Sequence, residues 1–495
     1  MNMFKQHRMA LALRAAFCLG GAALGQSAHA AESGELSEIR AQIQQMRSDY
    51  EARLNKLEQR LQEALANNDK LAAKLASPAP LSTPATPTTA PAVAAIPAPP
   101  PPRGSTSVAA QSAPPSGAAM SNLFNPAVSL ILTGTYANLS QDPKQYRLQG
   151  FIPPGGETGP GQRGFGIGES ELTLAAAIDP HFSGQLTFAL DGKEAAGVEE
   201  AFVSANNLGS GLNLKFGRFY SGLGYQNGQH AHVWDFADLP LAYQALLGGQ
   251  TTTNGLQLKW LAPLDKFVEF GAEIGDAGGF PGSDDNHNGI GSALAFVHLG
   301  DDIGDNGSWR AGLSYLHSRA VDRRFDDGEV SNGFTGKSRS WIADAVFKYT
   351  LSSHSWLKLQ GEYIRRNESG ALTYDVANPV AAGPSADYRS SQSGWYVQGI
   401  YQFHPAWRVG LRHDRLNSGN VQYGALNDGR VSADQLPIFA AYNPRRTGLL
   451  LDWNGSEFSR IRFQVTQDKS RPGVNDHQIH LQYIMSLGAH GAHSF

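Results

Sequence analysis

The sequence predicts an all-β chain: a transmembrane antiparallel β-barrel of about sixteen strands, preceded by an α-helical coiled coil and a Pro-rich linker. Three observations predict it. From residue 122 onward, apolar and polar residues alternate in segments about ten residues long, as strands of outer-membrane barrels do. The connections between those segments alternate between short and long. No apolar run approaches the roughly 20 residues that a membrane helix needs, and mean hydropathy is −0.32.

Residues 1–30 read as a signal peptide. Lys5 and Arg8 form a positive start, Ala15 to Leu24 a short apolar stretch, and Ala28 and Ala30 the small residues before cleavage. The single cysteine, Cys18, lies inside this peptide, so a processed chain has no thiol and no Cys-based metal site. Residues 31–76 carry heptad-like spacing, with Leu36, Ile39, Ile43, Met46 and Tyr50 at steps of 3 and 4, resuming at Leu54, Leu57 and Leu61. That spacing predicts a periplasmic coiled coil with a stutter. Residues 77–121 are mostly Pro, Ala, Thr and Ser, a composition that builds no core and predicts a disordered linker. The formal charge of −4 offers no basic excess for nucleic acid.

Residues 122–495 are the expected barrel. Leu357, Leu359 and Tyr363 alternate with Lys358, Gln360 and Glu362; Ile461, Phe463 and Val465 alternate with Arg460, Arg462 and Gln464. Candidate strands begin near 127, 164, 182, 198, 211, 253, 267, 290, 309, 339, 356, 393, 407, 446, 458 and 477. Short turns such as 179–181, 263–266 and 404–406 follow most even strands. Long loops (139–163, 220–252, 320–338, 367–391, 416–445) follow most odd ones. This asymmetry is that of periplasmic turns and outer loops, and an even count leaves both chain ends in the periplasm. Trp309, Trp341, Trp356, Trp395, Trp407 and Trp453 fall near strand ends, where interfacial girdles sit.

Four segments carry a family resemblance: Phe165 to Leu174, Ile178 to Phe182, Val198 to Phe202 and Leu214 to Phe219. On these the barrel region resembles the phosphate-selective porin O/P superfamily of outer-membrane porins. The resemblance implies a sixteen-stranded, usually trimeric channel whose third outer loop folds inward. It also implies a chain ending in an aromatic residue, as this one does in Phe495. Similar chains with a coiled coil and Pro-rich linker include porins and receptors, some linked with zinc.

The third outer loop, 220–252, contains His230, His232, Asp235 and Asp238, the candidates for a pore constriction. His230 and His232 are also weak candidates for holding a divalent cation, against the simpler reading of a polar loop packed by Trp234 and Phe236. By alternation the lumen is lined by basic Arg310, Lys348, Lys358, Arg408, Arg412, Arg460 and Arg462. Acidic Glu169, Glu171, Glu269, Glu273, Asp344 and Glu362 face the same way. Such opposed walls would set a transverse field across a pore. A phosphate channel would call for a basic excess, and this lumen reads as mixed. Asp284, Asp285, Asn286, His287 and Asn288 lack the full calcium-loop spacing and read as a solvated turn.

The expected function is passive diffusion of small solutes or ions through an outer-membrane porin, in contact with outer-membrane lipids. A homotrimer held through barrel and coiled coil is the expected assembly. The alternatives are a transporter or receptor for a metal ion such as zinc, and a coiled-coil-gated export channel. No Gly-x-Ser-x-Gly elbow is present, so catalysis is not expected, and no motif calls for a cofactor.

Overall fold

The computed structural model describes residues 126–488, except 156–157, 191–195, 207, 284–286, 379 and 381–382. The expected signal peptide, coiled coil and linker lie outside the described residues, as do Asp284 to Asn286, His490, His493 and Phe495.

Sixteen strands form one sheet that closes on itself. They are β1 (Ala127–Leu139), β2 (Gly164–Gly166 and, after an interruption, Ser170–Ala177), β3 (Phe182–Leu190), β4 (Ala196–Ala205), β5 (Leu212–Tyr220) and β6 (Thr252–Leu261). Then follow β7 (Phe267–Gly275), β8 (Ser292–Ile303), β9 (Gly307–Asp327), β10 (Val330–Thr350) and β11 (Trp356–Thr373). The last are β12 (Ser385–His404), β13 (Trp407–Tyr423), β14 (Arg445–Ser456), β15 (Ser459–Lys469) and β16 (Asp476–Gly488). Both parts of β2 pair with β1, so they count as one strand. Antiparallel pairing of β1 with β16, from Ser129↔Gly488 to Leu139↔Gln478, closes the cylinder and leaves no free edge. It also brings both described chain ends out on the same side, that of the short turns.

The alternation sorts the side chains. Leu359, Val397, Leu411, Leu449, Phe463 and Leu481 all point outward and are exposed. Their neighbours Gln360, Gln398, Arg412, Leu450, Gln464 and Gln482 face inward. An apolar outside over a polar inside is what a barrel in hydrocarbon requires, since every backbone group is paired within the wall. Trp341, Trp407 and Trp453 are exposed on the outer face. Trp356 is not part of that girdle: it packs from inside against Phe236, Ile400 and Leu450.

The outer loops differ from expectation. Segment 320–338 is not a loop: β9 and β10 run on to Asp327 and from Val330, with a tight turn between. Likewise 367–391 and 416–445 shrink to 374–384 and 424–444. At about 3.4 Å per residue, 21-residue strands reach far beyond a bilayer. In the protruding part, outward Asp322, Arg324, Arg339 and Arg365 are polar like the inward face. The dyad signal therefore vanishes although the strand continues.

The core sits inside the barrel. Loops 140–163 and 424–444 fold into the outer end, where Ile152, Val431 and Ile438 pack with Phe325, Phe334 and Tyr388 of the wall. Deeper in, segment 221–251 supplies Leu223, Trp234, Leu239 and a short helix α1 (Leu241–Leu247), packed on Phe296, Ile342, Ile364 and Tyr396. The helix is buried all round. Gly248 closes it with φ 76°, a left-handed turn that costs glycine nothing.

Candidate functional site: a segment across the lumen

Segment 221–251 joins the hydrogen-bonded ends of β5 and β6, yet it touches nearly every side of the cylinder. Its start is held on one wall. Gly222 N–H donates to Glu273 of β7 (2.7 Å), and Gln226 N–H to Glu362 of β11 (2.8 Å). Gly224 accepts from Arg310 of β9 (3.3 Å), whose other partner is Asp344 (3.2 Å). Gly224 has φ 63°, and a Cβ there would meet the Glu362 carboxylate and the Tyr243 hydroxyl, so only glycine fits. Glu362 also accepts from Tyr243 of α1 and Tyr396 of β12, both at 2.8 Å.

The middle of the segment reaches the acidic wall. His230 Nδ1 lies 3.0 Å from Glu171 of β2 and 3.2 Å from Glu199 of β4, and its Nε2 lies 3.2 Å from Glu200. His232 Nδ1 is 2.8 Å from Glu171. Burial alone would lower the His230 pKa, but the carboxylates of Glu171, Glu199 and Glu200 outweigh it and hold it well above the ordinary histidine range. Two consecutive glutamates face inward because β4 carries a bulge: Thr187 pairs with Glu200 while the next residue, Phe188, pairs with Val198.

The end of the segment docks on the basic wall. Asp235 meets Lys358 (2.5 Å), Arg408 (3.1 Å) and Gln398 (2.9 Å). Asp238 meets Arg412 (2.9 Å) and Arg446 (2.6 Å). Arg462 donates to the Trp234 carbonyl at 2.7 Å and Arg366 to the last carbonyls of α1, where a cation complements the helix end. Burial pushes both aspartates up. For Asp235 the Lys358 and Arg408 charges, and for Asp238 those of Arg412 and Arg446, more than offset it, so both stay ionised well below the usual carboxylate range.

The four constriction candidates therefore lie inside the barrel but against opposite walls: His230 and His232 on β2 and β4, Asp235 and Asp238 on β11, β13 and β14. The lumen candidates Arg310, Lys348, Lys358, Arg408, Arg412, Arg460 and Arg462 all stand at inward positions. So do Glu171, Glu269, Glu273, Asp344 and Glu362. Glu169 sits half-buried at the interruption of β2. Lys348 stacks over Trp356, and Glu269 meets Lys259 (3.5 Å) and His298 (3.0 Å). Arg460 and Arg462 flank Asp452, which also holds Arg408. The walls do not face each other across open water: the segment lies between them and neutralises part of each. On the short-turn side, the inward Gln185, Lys259, Glu269, Lys348 and Lys358 keep partial exposure.

Sequence reasoning did not find Glu199, Glu200, Arg446, Asp414 or Asp452. Arg446 and Asp452 were legible, since both alternate with the outward Leu449 and Leu451. The paired glutamates were not, because strict alternation turns one of them to lipid.

A closed sixteen-stranded cylinder, apolar outside and crossed by one inward segment, defines a transmembrane β-barrel. Within that class the chain belongs to the same family as an uncharacterised protein of Aquifex aeolicus (strain VF5), to which it is 30% identical over 355 residues, 68% of this chain and 71% of that protein. No family model matches the sequence. Similar solved structures include a loop-deletion mutant of OmpT, an outer membrane protein of Vibrio cholerae (TM-score 0.46, 13% identity, 73% of this chain and 99% of that one). Pseudomonas putida OprB (0.46, 14%, 73% and 94%) and an anion-selective porin from Comamonas acidovorans (0.44, 11%, 73% and 99%) are further examples.

Proposed function

We propose that the protein is an outer-membrane channel for passive diffusion of small hydrophilic solutes or ions, with segment 221–251 as its constriction. The observation that carries this reading is the segment itself. It is anchored by ion pairs and backbone hydrogen bonds to walls on both sides, and inward polar residues beneath it, toward the short turns, keep partial exposure. The N-terminal side faces the periplasm, where the short turns lie. Homotrimeric assembly is part of the proposal and is supported by the heptad spacing in 31–76.

Selectivity in this reading is weak. Inward arginines favour anions, but Arg408, Arg412 and Arg446 are each held by aspartates, and the acidic wall offsets the rest. The basic excess that a dedicated phosphate channel needs is lacking among the described inward residues. The test is planar-bilayer recording of the purified protein. Ohmic conductance steps with a reversal potential near zero in a salt gradient are expected. Absence of any conductance from folded, inserted protein would overturn the reading, and a strongly anion-selective reversal potential would restore the phosphate one.

A further inference from the structure

We propose that Glu171, Glu199 and His230 form a binding site for one first-row divalent metal ion on the acidic wall of the lumen. One ligand atom from each of these residues lies within 4.8 Å of the others. Both carboxylates are buried, and the imidazole keeps a partly open side toward the lumen.

The hydrogen-bond count points to an ion. His230 Nδ1 carries at most one hydrogen, yet two carboxylate oxygens stand at 3.0 and 3.2 Å from it. That single hydrogen is shared between the two oxygens, so neither receives a full hydrogen bond. A metal bound through the Nδ1 lone pair removes that conflict, because all three atoms then point at the cation. The geometry is already close: ligands about 2.1 Å from a tetrahedral ion stand about 3.4 Å from each other. The two carboxylates offset the dipositive charge.

Every remaining polar atom of the three ligands has a partner that would orient it. His230 Nε2–H donates to Glu200 Oε2 at 3.2 Å, the carboxylate–histidine arrangement that fixes the tautomer of a metal-bound imidazole. His232 Nδ1 holds the second oxygen of Glu171 at 2.8 Å, and the Tyr220 hydroxyl donates to the second oxygen of Glu199. Three protein ligands with a fourth position toward water leave the ion exchangeable. The imidazole selects a transition ion over calcium or magnesium, which prefer oxygen alone. Chemically this joins residues from β2, the β4 bulge and the inward segment, so ion binding would also fasten the segment to the wall.

The test is calorimetric titration of zinc chloride into the chelator-stripped, folded barrel in detergent. One zinc per barrel is expected. His230→Ala and Glu199→Gln should raise the Kd by at least about ten-fold, and Glu200→Gln, which removes the charge of the orienting acceptor, by about ten-fold. His354→Ala, in an exposed short turn, should change nothing. Heat-modifiable gel mobility reports the fold of each variant, and Glu200→Gln keeps side-chain size should the others misfold. No saturable binding, or equal affinity in wild type and all variants, would overturn the proposal. The inference does not depend on conduction: a barrel that fails to conduct but binds zinc here refutes only the channel, and one that conducts without binding refutes only this site.

Discussion

Asp238→Ala is expected to destabilise the protein by about 3–5 kcal/mol, the usual cost of removing one partner from a buried ion pair. Arg412 and Arg446 both converge on this carboxylate, and their side chains are 3% and 1% exposed. Without it, two guanidiniums stay under the segment with Asp414 as the one carboxylate, among the described residues, paired with both. The Asp238 backbone carbonyl keeps its bond from Arg412 at 2.8 Å, so the substitution removes charge rather than every contact. Asp428→Ala breaks a pair of which both members are about half exposed, and should leave stability nearly unchanged, because solvent screens such a pair. Equilibrium urea unfolding in lipid vesicles measures both. Equal, small losses for the two variants would mean that the segment is not docked as described.

Replacing residues 223–249 with a short Gly-Asn-containing turn is expected to at least double single-channel conductance, roughly, since the bore then approaches that of an open sixteen-stranded barrel. The wall itself should survive. Tyr220 and Thr252 are already paired, and Ser221 N–H donates to the Thr251 carbonyl at 3.0 Å, so a hairpin turn closes the gap. The freed Arg408, Arg412, Arg446 and Arg462 would be hydrated rather than stranded. Conductance unchanged from wild type would show that the segment does not limit passage.

Much of the wall was legible from residues alone. Strands starting at 127, 164, 182, 267, 356 and 407 begin where the dyads begin, because lipid outside and water inside impose opposite demands on successive side chains. The starts of β10 and β12 were missed by several residues, because beyond the bilayer Arg339, Arg365 and Arg389 leave the outward face as polar as the inward one. The constriction segment was legible from its length and polar residues, but its docking was not. His230, His232, Asp235 and Asp238 are neighbours in sequence and diverge in space, since the chain crosses the lumen between them. Nor does any local pattern announce the bulge that turns both Glu199 and Glu200 inward, or tell that their partner is a histidine thirty residues on.

The constriction and the metal site both require segment 221–251 to lie inside the cylinder. A cross-link tests it most directly. A Cβ added at Gly394 of β12 would stand 3.2 Å from the Ala242 Cβ of α1, near disulfide range, with only the flexible tip of Leu416 to move aside. Cys18 is the only native cysteine, and a Cys18→Ser background removes any competing thiol. The double variant Ala242→Cys, Gly394→Cys should oxidise readily in the folded barrel, change its mobility on non-reducing gels and leave no thiol open to alkylation. Two thiols that stay reduced in the folded protein, both reacting freely with a bulky maleimide added from outside, would place the segment elsewhere and contradict the account.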